Sequence, residues 1–478
     1  MEHPLFSLWK GVGKKGSISI AIDGSSYQYD DEALRYLSTL DLFDQFEVFY
    51  VSNNTINSKE KGLRILVPRI GQGGGKEEYR IDLEGQRYSF FPGFRNKETK
   101  EKYSAELLGS IAIGDLAITK KDIRSKYERD LIRDSFGGGK GYIGDMSECL
   151  SAIRAWINKK GVLNFNNRSS LIISKWMAIS FALQRLLPNC KKAWRAAVVS
   201  KEENCPLGEG TVRDYIGSIL SRAEHLLTTR DLLEVLKLDS FDRYGTHQVN
   251  YSYLANYYFG YFLMLLTGII DSTETLSYWG ICDRQKKPLS VSFRLGKNEK
   301  SHKKFLEEMF GFNKDLAKYV NSDEAQSLLK LIYTFRNHVA HEILPANITY
   351  VGNIGGLSGD LMVLKGKMIE KMDKYSKSRN LSKEQLLGIG VELRGKSGVP
   401  DKQEILVEPI LFVRYMLLEG LKFIENVLGY IQLENIIISS TEEKEKYNRI
   451  GELPRTKSSF EPFEKVNEVM ALMEASVP

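Results

Sequence analysis

The residues best suited to chemistry lie together at positions 336–341, which read Arg-Asn-His-Val-Ala-His. Arg336 can bind a phosphate through two parallel hydrogen bonds, and it keeps its charge at physiological pH. His338 and His341 can accept or release a proton near neutral pH, and Asn337 can donate or accept hydrogen bonds. This set can support metal-free cleavage of RNA, in which a 2′-hydroxyl attacks its own phosphodiester.

The sequence before these residues predicts the helix that positions them. Four large apolar residues recur at intervals of 4, 3 and 4: Leu328, Ile332, Phe335 and Val339. That spacing is one apolar face of an α-helix. We therefore expect one helix over residues 323–342, with its Leu328, Ile332 and Phe335 side chains buried.

Signals at both ends agree with this helix. Asn321 is followed three residues later by Glu324, which is the spacing of a capping box at a helix start. Pro345 marks the far end, because proline cannot continue the hydrogen-bond ladder.

The spacing within the motif also restricts the site. Asn337 and His341 are four residues apart and share a helical face. Arg336 and His341 are five apart, so they diverge by roughly 140° at about 100° per residue. One helix cannot easily direct both at one phosphate, but two helices facing across a symmetric dimer can. The alternative is a structural helix end, where Arg and His complement the helix dipole.

At these residues the sequence resembles HEPN domains, whose R-x4-6-H signature often takes the form R-N-x-x-A-H. The apolar helix before the motif and a tyrosine-rich helix at 250–270 also suit that all-helical fold, and the resemblance extends over about residues 210–440. Many HEPN domains are metal-independent endoribonucleases that act as dimers in toxin–antitoxin, abortive-infection and CRISPR-associated defence. The resemblance implies that Arg336 and His341 are catalytic, with Asn337 as the polar residue after the arginine.

Three functional hypotheses follow from this resemblance. The first is a homodimeric endoribonuclease that cleaves single-stranded RNA in antiviral defence or as a toxin, without metal or cofactor. The second is its CRISPR ancillary form, activated by a cyclic oligoadenylate, with an activating nucleotide or regulatory protein as partner. The third is a non-catalytic HEPN-like module that binds nucleotide or protein. His338 is the least certain catalytic residue, because a packed or solvent-facing role suits it equally.

Composition limits the class of protein. The 478 residues are 42% hydrophobic and 27% charged, as in ordinary globular proteins, and predict two or three domains. The net charge of +6 is mildly basic and compatible with RNA. The 4 cysteines form no C-x-x-C pair, so neither zinc nor a disulfide framework is expected. The N-terminus lacks a secretory signal pattern, and we expect a cytoplasmic protein.

We expect an α+β, multidomain chain. Residues 1–145 predict an α/β sensing or regulatory domain, with strands near 17–22 and 47–52 around a helix at 31–40. Asp23 follows the first strand, where open α/β sheets often bind ligands, and Asp115 is a possible second carboxylate for a metal. Both are also suited to capping turns. The glycine-rich stretches 71–75 and 137–141 lack the phosphate-loop pattern and are expected to be flexible loops.

Residues 146–440 predict a mainly α-helical bundle, with a HEPN-like core around 210–440. Residues 441–478 predict a charged tail or a short closing helix. Helical spacing runs over these ranges: 146–159, 169–187, 212–238, 360–375, 381–393 and 405–438. The last helix is expected to bend near Gly420 or Gly429.

Tyr251–Ile270 contains no charged residue and is long enough to span a bilayer. Its tyrosines, asparagine, serine and glycines instead favour a buried core helix, with Asp271 and Glu274 near the surface or facing the site. No membrane association is expected.

Overall fold

The computed structural model describes residues 18–28, 37, 46–52, 64–66, 69–73, 76–83, 86–90, 104–120, 142–146, 148–153, 162–164, 172–174, 183, 186–200, 206–207, 210–239, 248–281, 292–295, 299–311, 313–341, 346–354, 357–364, 367–395, 403–438 and 440–451. Within these residues the chain is mixed α/β and mostly helical, with a small parallel sheet.

The parallel sheet comes from the N-terminal part. Its strands are β1 (Ile18–Asp23), β2 (Phe46–Val51), β3 (Arg64–Leu66), β7 (Leu116–Ile118) and β8 (Tyr142–Gly144), in the order β3-β2-β1-β7-β8. Helix α1 (Ala105–Ile113) packs on β1, β2 and β7. Every residue of β1 and β2 is buried, as expected for parallel strands. The two strands predicted here are confirmed, whereas the helix predicted at 31–40 lies outside the described residues except for helical Leu37.

A three-stranded antiparallel sheet follows β3. It consists of β4 (Arg69–Gly73), β5 (Lys76–Leu83) and β6 (Gln86–Phe90). Residues 71–73 of the glycine-rich stretch are therefore part of a strand and not a loop: Gly71 pairs with Glu78 and Gly73 pairs with Lys76. The stretch 137–141 lies outside the described residues.

The helical part contains eleven labelled helices within the described residues. They are α2 (Pro188–Val199), α3 (Val212–Asp239), α4 (Gln248–Ile281), α5 (Glu299–Met309), α6 (Lys314–Val320), α7 (Asp323–His341), α8 (Lys367–Ser378), α9 (Lys383–Gly388), α10 (Pro409–Ile431), α11 (Leu433–Ile437) and α12 (Thr441–Gly451). Residues 146 and 148–153 are also helical. The core forms where α4 packs against α3, α7 and α10.

Helix α7 confirms the predicted motif helix, with one correction at its start. Leu328, Ile332 and Phe335 are all buried. The N-terminal cap is Ser322, whose Oγ accepts from the Ala325 amide at 3.2 Å. Asn321 instead closes α6, because its amide donates to Ala317 O at 3.0 Å. The predicted capping box is therefore wrong.

Several predicted helices are wrong because short apolar runs pair as strands. Part of the helix predicted at 360–375 is β14 (Leu357–Leu364), which joins an antiparallel sheet with β13 (Ala346–Ile354), β15 (Val391–Gly395) and β16 (Gln403–Val407). The sheet order is β13-β14-β16-β15. Periodicity alone does not separate a run of this length in a strand from one in a helix. Pairing of β14 with both β13 and β16 decides the outcome.

The same error affects residues 169–187. Strand β10 (Ile172–Ser174) lies within this range and pairs antiparallel with β9 (Val162–Asn164), which precedes it. Residues 183 and 186 are helical and Leu187 is not. Pro188 then begins α2, at the position where a missing N–H costs nothing. A further short pair is β11 (Pro206–Leu207) with β12 (Gly210–Thr211).

The long C-terminal helix begins and ends differently from the prediction. Residues 405–407 belong to β16, and α10 begins at Pro409. The chain turns at Gln432, which has a φ of 52°, rather than at a glycine. Gly420 instead permits close packing, since a Cβ there would lie 2.6 Å from Leu266 Cδ1 of α4.

Helix α4 contains the charge-free Tyr251–Ile270 stretch and confirms the core-helix prediction, because its Phe259, Phe262 and Leu266 side chains are buried. Among the described residues, no helix combines the length and hydropathy that crossing a membrane requires.

We expect Ile332→Ala to lower the free energy of unfolding by about 2–5 kcal/mol, because it removes a fully buried side chain from the core. Glu307→Ala, at an exposed position of α5, should change it by less than about 0.5 kcal/mol. Denaturant titration measures both values, and equal effects would contradict the assignment of this face.

Candidate active site

Aromatic packing fixes the motif helix immediately before Arg336. The Phe335 ring stacks on Phe412 of α10, with centroids 4.9 Å apart and planes at 26°. It also meets the Phe259 ring of α4 edge-on, with centroids 6.2 Å apart. Since Phe335 is fully buried between two neighbouring helices, the helix cannot rotate without breaking both contacts, and the backbone position of Arg336 is fixed.

The Arg336 side chain is half-buried and holds an unusual set of contacts. Its Nη1 donates to Asn337 Oδ1 at 2.9 Å. Its Nε is buried and has no hydrogen-bond partner. Within the described part of the chain, no carboxylate forms a salt bridge with Arg336. The guanidinium is therefore oriented by a neutral amide and keeps its charge available for an anion.

Two contacts between α7 and α4 lie on either side of Arg336 along α7. A Cβ at Gly260 would lie 2.8 Å from Val339 Cγ1, so the two helices approach closely there. At the other side the Tyr333 hydroxyl donates to Asp271 Oδ1. The two helices are thus antiparallel. Val339 and Tyr333 each lie about 60° from Arg336 on α7, in opposite directions, so Arg336 faces the groove between these contacts.

The structure describes the side chains of Asn337 and His338 but not that of His341. Asn337 is exposed and bonds to Arg336. His338 is half-buried and lies about 200° around the helix from Arg336, so these two side chains do not converge. His341 is the last residue of α7, and its side chain lies outside the described residues. In the described structure Asn337 Oδ1 accepts from Arg336 Nη1, and a role for Asn337 beside His341 stays a prediction.

A polar cluster one turn before Arg336 was not recognised from the motif. The Tyr333 hydroxyl bonds to Asp271, and the Arg294 guanidinium carbon lies 4.6 Å from the centre of the Tyr333 ring. Glu274, one turn after Asp271, accepts from the Phe293 amide at 2.7 Å. The sequence signal was two acidic residues three positions apart, directly after twenty uncharged ones.

Burial changes the acid–base behaviour of this cluster. Burial is the largest cause of a raised pKa at Glu274, which lies at about 8. The hydrogen bond from the Phe293 amide lowers this pKa, and the Asp271 charge raises it. Burial also raises the pKa of Tyr333, and the Glu274 and Asp271 charges and the Asp271 hydrogen bond add to this rise. At neutral pH both Glu274 and Tyr333 are therefore neutral, and Tyr333 remains a hydrogen-bond donor.

The N-terminal carboxylate Asp23 is a structural part of the sheet edge. Its Oδ1 accepts from Ser25 N at 3.0 Å and Ser25 Oγ at 2.6 Å. Its Oδ2 accepts from Ser26 Oγ at 2.6 Å and Thr119 Oγ1 at 2.8 Å. The Ser25 hydroxyl also meets Ser104, the N-terminal cap of α1, at 2.7 Å. Four donors thus satisfy the Asp23 carboxylate at the carboxyl end of β1.

Asp115 does not join this cluster. Its Oδ2 accepts from the Ser19 amide at 2.9 Å, and Ser19 precedes Asp23 by four residues along β1. That separation is about 13 Å at ~3.3 Å per strand residue. The two carboxylates therefore cannot share a metal, and the described residues contain no group of three or more potential metal ligands.

Comparisons with models of protein families, with curated proteins and with solved structures found no match in any of the three. Interpretation of the site therefore depends on the motif and its geometry.

We expect Glu274 to make stability fall as the pH rises. The folded pKa lies above the unfolded value of 4.5, so the folded state binds more protons between about pH 4.5 and 8. This contribution is complete below 4.5 and is lost as the pH rises through about 8. The stability of the wild type relative to Glu274→Gln should decrease over that window, by at most about 1.4 kcal/mol per pH unit. Urea titrations of both proteins from pH 5 to 8.5 measure this, and a constant difference would show that Glu274 titrates as in the unfolded chain.

Proposed function

We propose that this chain is a metal-independent endoribonuclease of HEPN type that cleaves single-stranded RNA, with Arg336 and His341 as catalytic residues. The observation that carries the proposal is the state of Arg336 in the described structure. Its side chain is half-buried, is oriented by Asn337 and has no carboxylate partner.

Other buried or half-buried arginines of the chain provide a contrast. Three of them pair with carboxylates: Arg230 with Asp231 at 2.8 Å, Arg414 with Glu234 at 2.7 Å, and Arg379 with Glu419. The half-buried Arg222 instead donates to Gly268 O and Ser272 Oγ, and the half-buried Arg195 and Arg294 lie over tyrosine rings. Among the described residues, Arg336 has only the Asn337 amide oxygen as a hydrogen-bond acceptor. Burying an arginine without a negative partner is costly. Arg336 bears that cost, which favours a functional role in which an anionic ligand completes the pairing.

The alternative of a structural helix end fits Arg336 less well. An arginine that complements the helix dipole does so near the last carbonyl oxygens of the helix. In the described structure Arg336 donates to the Asn337 side chain instead. We propose that the phosphate bound by Arg336 lies in the groove between α7 and α4.

The mechanism divides between two side chains. Arg336 binds the scissile phosphate and offsets the charge that grows on the phosphorane. His341 moves a proton, either from the attacking 2′-hydroxyl or to the leaving 5′-oxygen. Arg336 and His341 diverge by about 140° on one helix, so we propose a homodimer in which each site combines Arg336 of one copy with His341 of the other.

The parallel sheet supports a regulated form of the enzyme. At β1 the strand order changes direction, because β2 lies on one side and β7 on the other. Ligands of open α/β sheets bind at the carboxyl edge of such a point. The turn after β1 and the N-terminus of α1 meet there through Ser25 and Ser104. We propose that an activating nucleotide, such as a cyclic oligoadenylate, binds at this edge in the regulated form.

Purified protein should cleave single-stranded RNA in EDTA, and Arg336→Ala or His341→Ala should each lower the rate at least about 100-fold. Products should carry 2′,3′-cyclic phosphate and 5′-hydroxyl ends. Gel assays with end analysis measure both. Cleavage that begins only after a cyclic oligoadenylate is added supports the regulated form.

Matched controls are Arg213→Ala and His225→Ala, since both residues are exposed on α3, and these variants should cleave like the wild type. Strict dependence on Mg²⁺, or products with 3′-hydroxyl and 5′-phosphate ends, would rule the mechanism out. A folded wild type that binds RNA without cutting it under any condition would favour the non-catalytic module.

Subunit mixing tests the composite site. An Arg336→Ala chain and a His341→Ala chain are co-expressed with different tags, and the mixed dimer is isolated by tandem purification. One of its two sites then keeps both side chains, so about half of the wild-type activity should return. If the mixed dimer is as inactive as the single variants, each chain builds its own site.

A further inference from the structure

Helix α4 presents an exposed aromatic side chain within a region that is otherwise core. Tyr257 is 59% exposed, although Phe259 two residues later is fully buried. The Tyr257 ring lies parallel to the Tyr261 ring, with planes at 9° and centroids 6.5 Å apart. The Tyr258 ring meets it edge-on at 5.5 Å. These neighbours hold the Tyr257 ring on a helix and leave much of its surface open.

The helix geometry places this ring beside the candidate active site. Helices α4 and α7 run antiparallel, with Gly260 against Val339 near the end of α7. Tyr257 precedes Gly260 by three residues, which is about 4.5 Å along the axis, in the direction in which α7 runs toward His341. It lies only about 60° around α4 from Gly260. Tyr257 therefore borders the groove that Arg336 faces, at the end where the motif finishes.

From this placement we infer that Tyr257, supported by Tyr261, is a stacking platform for an RNA base beside the scissile phosphate. The inference rests on the proposed function, since it concerns the substrate of the same site. Proteins bind unpaired RNA by combining a cationic contact to the backbone with aromatic side chains that stack on bases. Arg336 supplies the first element and Tyr257 the second. Stacking of this kind tolerates any base, because each has a π-face.

The surroundings favour RNA over a protein partner. No charged residue occurs in Tyr251–Ile270, so no carboxylate of this segment repels a phosphate backbone. Large exposed hydrophobic side chains of α4, among the described residues, are limited to Tyr257 and Met264. Specific protein interfaces bury on the order of 1,000 Å² or more, which two side chains do not supply. A single nucleotide base fits this area.

Binding of a fluorescently labelled single-stranded RNA tests the inference in a cleavage-deficient His341→Ala background. Adding Tyr257→Ala should raise Kd about 5- to 100-fold, whereas Tyr257→Phe should stay within about 2-fold because it keeps the ring. Tyr430→Ala is the matched control, since Tyr430 is also exposed, at 41%, but lies on α10. It should leave Kd unchanged.

A set of RNAs with one abasic position each provides a second measurement. When the protein keeps Tyr257, removing the base at one RNA position should raise Kd by a similar factor. Removing the same base should leave Kd unchanged for the Tyr257→Ala protein. The abasic series on the unaltered ring also decides the question if Tyr257→Ala fails to fold.

Each remaining outcome is decisive. Equal affinities for Tyr257→Ala and Tyr430→Ala would overturn the platform while the ribonuclease proposal stands. Absence of both RNA binding and cleavage in the wild type would overturn both proposals. If Tyr257→Ala lowers the oligomer mass in light scattering and leaves RNA affinity unchanged, this face is a subunit contact and not a platform.

Discussion

The candidate site depends on one aromatic junction, formed by Phe259, Phe335 and Phe412 where α4, α7 and α10 meet. Such a junction is directional, because ring pairs prefer offset-stacked or edge-on arrangements. It therefore fixes the rotation of α7 as well as its depth. Arg336 is the next residue, so its direction into the groove with α4 follows from the packing of Phe335. Hydrophobic burial here determines where a charge is held.

Polar contacts beside the junction complete this control. Near the end of α7, the absence of a side chain at Gly260 lets Val339 approach α4 closely. One turn before Arg336, the Tyr333 hydroxyl bonds to Asp271 while Arg294 covers the ring. The Glu274 carboxyl accepts a hydrogen bond from the Phe293 amide and so holds the segment that carries Arg294. The groove is thus closed at one end by packing and at the other by hydrogen bonds.

The sequence predicts the motif helix well because its information is local. The 4-3-4 spacing of Leu328, Ile332, Phe335 and Val339 has only one regular interpretation, and the three residues predicted to be core are buried. The error at Asn321 is also local: two adjacent polar residues can each cap a helix, and the end of α6 had already used Asn321. By contrast, β10 pairs with the nearby β9, and β14 pairs with the adjacent β13 and with the more distant β16. The apolar spacing of these short runs does not contain their pairing partners.

The site itself was predictable only in part. The residue types at 336–341 indicate phosphate binding, but the free charge of Arg336 depends on which carboxylates other helices bring near it. The roles of His338 and His341 stay predictions. The acidic pair Asp271 and Glu274 was visible in sequence, yet its contact with Tyr333 depends on the antiparallel packing of α4 against α7. That arrangement is a tertiary property.

A buried ion pair joins two helices of the core near the end of the parallel sheet. Arg414 of α10 pairs with Glu234 of α3 at 2.7 Å, and both side chains are buried. Burial by itself lowers the pKa of Arg414, but the Glu234 contact outweighs this, and the charges of Asp145 and Glu148 raise it further. Asp145 directly follows β8, so the last strand of the sheet contributes to the field that holds Arg414 charged. Helix α10 also carries Phe412, two residues from Arg414. One helix therefore makes both the ion pair with α3 and the aromatic contact with Phe335.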